Sequence, residues 1–322
     1  MILIRYNAIA MIAGLILDLL IGDPQGWPHP VIWIGKWISF CDKKIRAKAA
    51  GDSAKLRRGS VWMTASTVFL SIAVTAAVLR AAAFGGTYVL LAAMTIISWT
   101  CLASKSLAKE ANGVQKALEQ SLEAGRKQVG RIVGRDTASL SSEEIVAATV
   151  ETVAENTTDG IVSPLIYLFL GGPVLAMGFK AASTLDSMEG YLDEKYRDIG
   201  WSGAKLDDLL NYVPARISGH LMCLAAFLTG TDGKNAYRIM KRDHANHLSP
   251  NCAWTESAAA GALHVQLGGS HEYFGKTIVK PTIGDADRPI CAEDIARTNR
   301  LMYGTTFLAA ALLIAIAIAY LL

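Results

Sequence analysis

The chain has 322 residues, 52% of them hydrophobic and 18% charged, and a net charge of +3. This composition is too apolar for an ordinary soluble domain, and it predicts a polytopic membrane protein. The basic residues are not interleaved with aromatic residues, which argues against a nucleic-acid partner. The five cysteines are scattered and form no CxxC pair, which argues against a disulfide framework and a zinc knuckle.

The first apolar stretch, Met1 to Ile21, is long enough to span a membrane. A signal peptide is the alternative, but no small-residue cleavage site follows it. The next segment is GDPQGWPHPV, whose prolines and glycines predict rigid irregular backbone carrying Asp23 and His29. A lone histidine is more often structural than a ligand, but stiff backbone beside a membrane helix suits the wall of a pocket.

Further segments are apolar enough to enter the membrane. Val61 to Leu79 and Tyr88 to Ala103 follow a basic loop, residues 36–58, which the positive-inside rule places in the cytoplasm. Val213 to Gly230 is also apolar, with its start at the membrane interface. Met302 to Leu322 has no charged residue and predicts a final membrane anchor.

The centre of the chain carries two acidic stretches. In VETVAENTTDG the carboxylates of Glu151, Glu155 and Asp159 are four residues apart, so a continuous helix places them on one face. Ser141 and Glu144 form a capping box that begins this helix. Like charges at this spacing repel unless a cation lies between them. A solvated acidic face is the alternative, and a divalent metal site is the sharper hypothesis.

A broken apolar segment, Ile161 to Lys180, follows the first acidic stretch. Pro164 and Gly171-Gly172-Pro173 interrupt it, which a plain membrane-spanning helix rarely needs. A second charged face comes next, made of Asp186, Glu189, Asp193 and Arg197. Stray carboxylates are costly in a membrane, so two acidic faces around one apolar segment predict a polar site at the membrane boundary.

The second long polar region, residues 231–300, holds further candidate residues. Asp243 and His247 are spaced i, i+4 at the end of a predicted helix, and either a metal pair or a solvated helix end explains them. Gly268-Gly269 indicates a turn. The loop IGDADRP carries Asp285 and Arg288.

Seven motifs occur along nearly the whole chain in one order and spacing: GDPQGWPHPV, GRDT (134–137), VETVAENTTDG, TLDSMEGY, YRDIGWSGAKLDDLLNYVPAR, HLSPN and GDADRP. Together they resemble the CobD/CbiB family of cobalamin biosynthesis. The sequence departs from the family pattern at Ser183, where an Asn is expected, and at Cys252-Ala253-Trp254-Thr255, a variant of Ala-Gly-Trp-Pro.

The resemblance implies an adenosylcobinamide-phosphate synthase, an acid–amine ligase of the membrane. Its substrates would be adenosylcobyric acid and aminopropanol or its O-phosphate, joined as an amide with ATP and Mg²⁺. Its expected partners are membrane lipid and other membrane enzymes of late cobalamin assembly. We expect a multi-pass protein of the inner or plasma membrane whose active site faces the cytoplasm.

Roles in that chemistry are assigned as hypotheses. The predicted metal ligands are Glu151, Glu155, Asp159, Asp186 and Glu189. Lys180, Arg197 and Arg288 are expected to screen the transferred phosphoryl group, with Asp243 or His247 as the base. The side chains expected to bind nucleotide or substrate are Asp23, His29, Asn156, Asp193, Asn251 and Asp285. Neither GxxxxGK[ST] nor GxGxxG is present, so the nucleotide would not bind a standard glycine loop.

The predicted fold class is an all-α polytopic integral membrane protein. We expect about four to six membrane-embedded helices, some broken or re-entrant, together with amphipathic cytoplasmic helices. Residues 1–322 would form one membrane domain with polar catalytic regions at 104–160, 182–212 and 231–300. A transporter and a regulatory sensor remain alternatives, although we find no internal repeat of the kind that transporters usually show.

Overall fold

The structure is a computed structural model that describes residues 2–23, 26–134, 136–191, 193–273 and 276–321. Most of the described residues are helical. Within the described residues, five segments are long and apolar enough to cross a membrane: Ile4–Ile21, Ser53–Ala83, Thr87–Gln120, Ser142–Glu189 and Glu293–Tyr320. The predicted helical membrane class is therefore confirmed.

The helices are α1 (Ile2–Ile21), α2 (Pro30–Ala49), α3 (Ser53–Ala83), α4 (Thr87–Cys101), α5 (Ser104–Gln120), α6 (Leu122–Val129), α7 (Ser142–Thr157), α8 (Ser163–Glu189), α9 (Trp201–Leu228), α10 (Gly233–Asp243), α11 (Cys252–Leu263) and α12 (Glu293–Leu321). A π-helical turn, Thr158–Val162, joins α7 to α8. Two antiparallel strands, β1 (Leu267–Tyr273) and β2 (Lys276–Ile283), were not predicted. The predicted membrane segment at 213–230 belongs to α9, which is not among the five candidate spans.

Side-chain caps begin several of these helices, as their sequences indicate. His29 lies at the N-cap of α2, where its Nδ1 accepts a hydrogen bond from the amide of Val31 at 3.3 Å. The predicted capping box of α7 is confirmed, because Ser141 and Glu144 exchange side-chain to backbone hydrogen bonds. Each cap satisfies backbone donors that the first turn of a helix leaves open.

The chain divides into two compact units. Unit 1 comprises Met1–Leu102, Pro164–Asn211 and Leu313–Leu322. In this unit α1 packs on α4 and α2 packs on α3. The first contact needs a glycine, because a Cβ on Gly14 would lie 2.7 Å from the Cβ of Ser98.

Unit 2 comprises Ala103–Ser163 and Tyr212–Leu312. Here α7 packs against α5, α6 and α11, and α11 packs against α10. The buried residues of α7 and α11 include Val150, Val153 and a run of alanines. These small side chains allow α11 to approach its neighbours closely, which places its polar residues beside α7. The prediction of a single domain over the whole chain stays a prediction.

The π-helical turn is explained by Pro164. Proline has no amide hydrogen, so the carbonyl of Gly160, four residues earlier, loses its helical donor. That carbonyl instead accepts a hydrogen bond from the amide of Ala103 at 3.1 Å. A π-turn at this point also changes the direction of the side chains it carries, including Asp159.

The predicted interruption of the apolar segment is confirmed at Gly172, where the backbone leaves the helical region. Pro173 deprives the carbonyl of Phe169 of its donor. The side chain of Asn7, which is buried, donates to this carbonyl at 3.4 Å. A polar residue on α1 thus compensates for a proline far away in the sequence.

A third proline, Pro214 in α9, follows the same rule. The carbonyl that it leaves without a helical donor is that of Leu210, which accepts a hydrogen bond from the hydroxyl of Tyr167 at 2.8 Å. Backbone groups freed by prolines must find other partners where water is scarce. The amide of Ala103 and the side chains of Asn7 and Tyr167 supply these partners, which explains how the three prolines are tolerated in helical segments.

We expect Tyr167→Phe to lower the free energy of unfolding by about 1 kcal/mol, because the carbonyl of Leu210 would lose its donor. The measurement is unfolding of the detergent-solubilised chain followed by circular dichroism. Tyr88→Phe is the matched control, since Tyr88 is 89% exposed. Equal stability of the two variants would show that the hydrogen bond from Tyr167 to the carbonyl of Leu210 does not stabilise the fold.

Candidate functional site

A group of polar side chains from three elements of unit 2 meets beside α11. Cys252 begins α11 and its thiol donates a hydrogen bond to Oε1 of Glu155, on α7, at 3.0 Å. Asp159, in the π-turn, and Glu256, one turn further along α11, also act electrostatically on this thiol. We call these four residues, Glu155, Asp159, Cys252 and Glu256, the acidic cluster.

The acidic cluster has the electrostatics of a cation-attracting site. Burial, followed by the negative charges of Glu155, Glu256 and Asp159, raises the pKa of the Cys252 thiol well above its ordinary value. The thiol therefore stays protonated and acts as a hydrogen-bond donor to Glu155. Glu256 is 4% exposed, while Glu155 and Asp159 are half-buried. Buried carboxylates of like charge favour a positive partner between them.

The three carboxylates of the predicted acidic face of α7 have different interactions, and their joint role as metal ligands stays a prediction. Glu155 and Asp159 belong to the acidic cluster, whereas Oε1 of Glu151 accepts a hydrogen bond from the amide of Gly268 at 2.8 Å. Glu151 therefore also connects α7 to the first residues of β1. The amide of Asn156 donates to the carbonyl of Thr152 on its own helix.

The residues predicted for the second acidic face lie in unit 1. Glu189 is buried, and its Oε2 lies 3.8 Å from Nη2 of Arg46. Asp186 is half-buried in the last turn of α8. Asp193 is exposed and accepts hydrogen bonds from the amides of Lys195 and Tyr196. The two predicted acidic faces thus fall in different units, and their meeting in one site stays a prediction.

Two predicted phosphate-screening residues also lie in unit 1. Lys180 is half-buried on α8, and Arg197 is exposed in the turn before α9, where its charge helps to lower the pKa of Asp198. Hydrogen bonds from Ser53 and Arg57 are the main causes of that lowering. No substrate contact of either residue is tested by the structure, so both roles stay predictions.

Around the C-terminal end of α10, charged side chains form a network. Arg242 binds both oxygens of Asp243, at 2.6 and 2.8 Å, and also Asp285 at 2.7 Å. Arg238 binds the other oxygen of Asp285 at 2.6 Å. The amide of Gly284 donates to Asp243 at 2.8 Å. This charged network fastens the segment after β2 to α10.

Burial alone would raise the pKa of Asp243, but hydrogen bonds from Arg242 and Gly284 outweigh it and hold that pKa below its ordinary value. Hydrogen bonds from Arg238 and Arg242 likewise lower the pKa of Asp285. Both carboxylates are therefore ionised and surrounded by donors. Such a carboxylate is a weak acceptor of a further proton.

The charged network predicts loss of stability in acid. Because the folded pKa of Asp243 lies below its unfolded value of about 3.9, its stabilising effect is complete above that pH and declines as the pH falls toward the folded pKa. We expect the unfolding temperature of Asp243→Asn to fall less than that of the parent between neutral pH and about pH 3. The exposed Asp136→Asn variant is the control, and parallel curves for parent and Asp243→Asn would contradict the prediction.

A cavity of about 620 Å³ in unit 2 lies between the start of α10, the end of α11 and the start of α12, and its lining includes one acidic residue, Asp232, and several basic ones. The basic residues of the lining are Lys234, His264, Arg288 and Arg297. Arg288 binds both oxygens of the buried Asp294, at 2.6 and 2.9 Å, and Arg297 binds it at 2.8 Å. Asp294 thereby fixes the positions of two cationic groups at the cavity wall.

Two further predicted binding residues, His29 and Asn251, and the predicted base His247 have local structural positions. Nε2 of His29 lies 3.7 Å from Asp23, while its Nδ1 caps α2. Nδ1 of His247 accepts a hydrogen bond from the amide of Ser249 at 3.0 Å. Asn251 is buried at the N-cap of α11. Of the GRDT motif, Arg135 lies outside the described residues.

Magnesium is the metal that the sequence suggested. Among the residues that the structure describes, no three His, Cys, Asp or Glu side chains come together as a complete metal cage. Mg²⁺ usually takes one or two protein carboxylates and completes its shell with water and phosphate oxygens. Glu155 and Asp159 both act on the Cys252 thiol, and together they offer the two carboxylates that a largely hydrated Mg²⁺ needs.

Cys252 and Glu256 were not predicted as site residues. Their only sequence signal is the i, i+4 spacing on α11, which places both on one helical face. Nothing in the sequence between residues 159 and 252 shows that this face meets α7.

The fold and the acidic cluster define a multi-pass membrane protein with a carboxylate-rich polar site. The chain belongs to the CobD/CbiB family, because the family model described as CobD/Cbib protein matches residues 11–302. It is 46% identical over 304 residues to the cobalamin biosynthesis protein CobD of Listeria monocytogenes serovar 1/2a, with 94% of each chain covered. It is 48% identical over 304 residues to the cobalamin biosynthesis protein CbiB of Salmonella typhi, with 93% of this chain and 94% of the relative covered. No solved structure matches the chain.

Proposed function

We propose that the chain acts in cobalamin biosynthesis as an ATP-dependent acid–amine ligase. It would join aminopropanol or its O-phosphate to a carboxylate of adenosylcobyric acid, which yields adenosylcobinamide or its phosphate. The observation that carries this proposal is the acidic cluster of unit 2, where the Cys252 thiol donates to Glu155 and also experiences the negative charges of Asp159 and Glu256. Family membership supplies the pathway.

Amide formation from a carboxylate and an amine is uphill in water, so the acid must first be activated. In the proposed reaction a carboxylate oxygen of the corrinoid attacks the terminal phosphorus of ATP and ADP leaves. The amine nitrogen then forms the C–N bond, and phosphate leaves as its C–O bond breaks. Bound Mg²⁺ would neutralise charge on the transferred phosphoryl group.

The chain's own residues would prepare this site. Glu155 and Asp159 are the proposed protein ligands of the metal. The protonated thiol of Cys252 holds the carboxylate of Glu155 in one orientation through its hydrogen bond. Fixed carboxylates lower the reorganisation needed when charge develops during phosphoryl transfer.

The cavity of unit 2, whose lining has more basic than acidic residues, supports a site for phosphate groups. Its volume of about 620 Å³ lies within the usual range for small-molecule sites. Arg288, a predicted phosphate-screening residue, lines this cavity together with Arg297 and Lys234. Because Asp294 holds both arginines, their guanidinium groups are already positioned before a ligand binds.

The proposed base is His247 rather than Asp243. Three hydrogen bonds saturate Asp243 and its pKa is low, so it accepts a proton poorly. Protonation of His247 at Nδ1 would require release of the amide of Ser249. Histidine is suited to proton transfer near neutral pH.

The proposed function is tested with the detergent-solubilised full chain, adenosylcobyric acid, aminopropanol or its phosphate, ATP and Mg²⁺. We expect an amide product, with ADP released in equal amount. Product that forms equally well without ATP would overturn the ligase proposal. Absence of product with either amine would also overturn it.

We propose that the end of α8 faces the cytoplasm together with the polar regions. Ser187 is exposed, so a Ser187→Cys variant can be labelled in sealed vesicles of known orientation. We expect a membrane-impermeant maleimide to react only from the cytoplasmic face, above the background of the parent chain. Labelling from the opposite face alone would contradict this orientation.

A further inference from the structure

We propose that His220 binds the cobalt of the corrinoid substrate through its Nε2, on an exposed aromatic surface of unit 2. This inference rests on the proposed function, because it assigns a position on this chain to that substrate. The aromatic surface consists of Tyr212, Arg216 and His220 on α9, Tyr237 on α10 and Trp254 on α11.

The rings of this surface hold His220 in place. The imidazole of His220 stacks near Trp254, with ring centroids 5.9 Å apart and planes inclined by 30°. Tyr237 lies edge-on to the same imidazole at 6.2 Å. His220 is nevertheless exposed, and Tyr212 and Tyr237 are 51% and 49% exposed. A flat ligand can therefore reach this face of the unit.

The hydrogen bond of His220 determines which nitrogen is available. Its Nδ1 lies 2.8 Å from the carbonyl oxygen of Arg216. A carbonyl oxygen only accepts, so Nδ1 carries the hydrogen, and in the neutral ring Nε2 keeps its lone pair. Histidines that bind metals commonly donate the other ring N–H to a backbone carbonyl in this way.

The other histidines with described side chains are less suitable. His29 and His247 accept amide hydrogen bonds at Nδ1, and His264 lies between Asp232 and Asp287. His244 also places Nδ1 near backbone carbonyls, but it is half-buried with its ring 4.4 Å from that of Trp254. His244 is therefore a matched control for His220.

A single histidine cannot hold a free metal ion firmly, but it can occupy the axial position of a metal that a macrocycle already holds. The exposed rings of Tyr212 and Tyr237 offer contact area to such a flat ligand. Arg216 lies over Tyr212, 3.4 Å from the ring centroid, and 5.0 Å from that of Trp254. Its cation suits a carboxylate on the rim of the ligand. Together these features fit a cobalt macrocycle with an acidic side chain.

The test uses the purified full chain in a nitrogen-free buffer, mixed with a cobalt(II) corrinoid that lacks its own nitrogenous base. Electron paramagnetic resonance then reports the axial ligand, since one ¹⁴N donor splits each cobalt line into a triplet. We expect triplets with the parent, doublets when its histidines carry ¹⁵N, and loss of splitting in His220→Gln. His244→Gln should keep the triplets.

Absence of nitrogen splitting in the parent would overturn the inference, and so would splitting that survives in His220→Gln or disappears only in His244→Gln. The ¹⁵N result on the parent does not depend on the folding of a variant. Amide formation is measured on the same preparation. If amide forms without nitrogen splitting, the inference is wrong and the proposed function stands; if no amide forms, the proposed function is wrong.

Discussion

Glu155→Gln is expected to lower the rate of amide formation by at least about a hundredfold, a usual cost of removing a group that stabilises charge during the reaction. The change keeps the size of the side chain and an oxygen that the Cys252 thiol can still contact. It removes the negative charge that would hold Mg²⁺ beside Asp159. Single-turnover formation of the amide from adenosylcobyric acid measures the effect.

The control for this experiment is Glu143→Gln, in the exposed first turn of the same helix. It changes the net charge equally but lies outside the acidic cluster, so its rate should match that of the parent. A titration with Mg²⁺ adds a second readout, because loss of a metal ligand should raise the concentration required for half-maximal rate. An unchanged rate and Mg²⁺ requirement in Glu155→Gln would refute the metal assignment.

Local sequence patterns predicted much of the fold. Long apolar runs located four of the helices that can cross a membrane, and the Gly171-Gly172-Pro173 sequence located the break in α8. The capping box at Ser141 gave the first turn of α7 correctly. Each of these features depends on residues within a few positions of each other, so periodicity and capping rules are sufficient.

The candidate site was predicted only in part, because its contacts are distant in sequence. The i, i+4 spacing of Glu155 and Asp159 suggested that they belong to one site, and in the structure both act on Cys252. The partnership of Glu155 with Cys252 joins residues 97 positions apart and depends on how α11 packs on α7. The same limit applies to Gly268, whose amide binds Glu151 although its sequence context indicated only a turn.

The hydrogen-bond donors that replace those lost at prolines were also not predictable, because they are distant in sequence. Each proline identifies the carbonyl that loses its helical partner, since this carbonyl is four residues earlier. The sequence does not identify the replacement donor, which is Asn7 for one carbonyl and Tyr167 for another. Tertiary packing alone selects them.

Gly172→Ala is expected to destabilise the chain by about 3 kcal/mol, from backbone strain and overpacking together. Gly172 has φ 64° and ψ −162°, a conformation that side chains other than glycine rarely adopt. A Cβ at this position would also lie 2.5 Å from Oδ1 of Asn7. Thermal unfolding in detergent, followed by circular dichroism, measures the loss.

A double-mutant cycle with Asn7→Ala separates the two causes. Asn7→Ala alone should cost about 1 kcal/mol, because the carbonyl of Phe169 loses its donor. If backbone strain dominates, Gly172→Ala should remain destabilising when Asn7 is already alanine, since the unfavourable φ persists without the contact. If Gly172→Ala no longer destabilises the chain on this background, the glycine is required because a Cβ would collide with Asn7, not because of its backbone conformation. The break in α8 would then depend on Pro173 and the missing helical donor rather than on the conformation of Gly172.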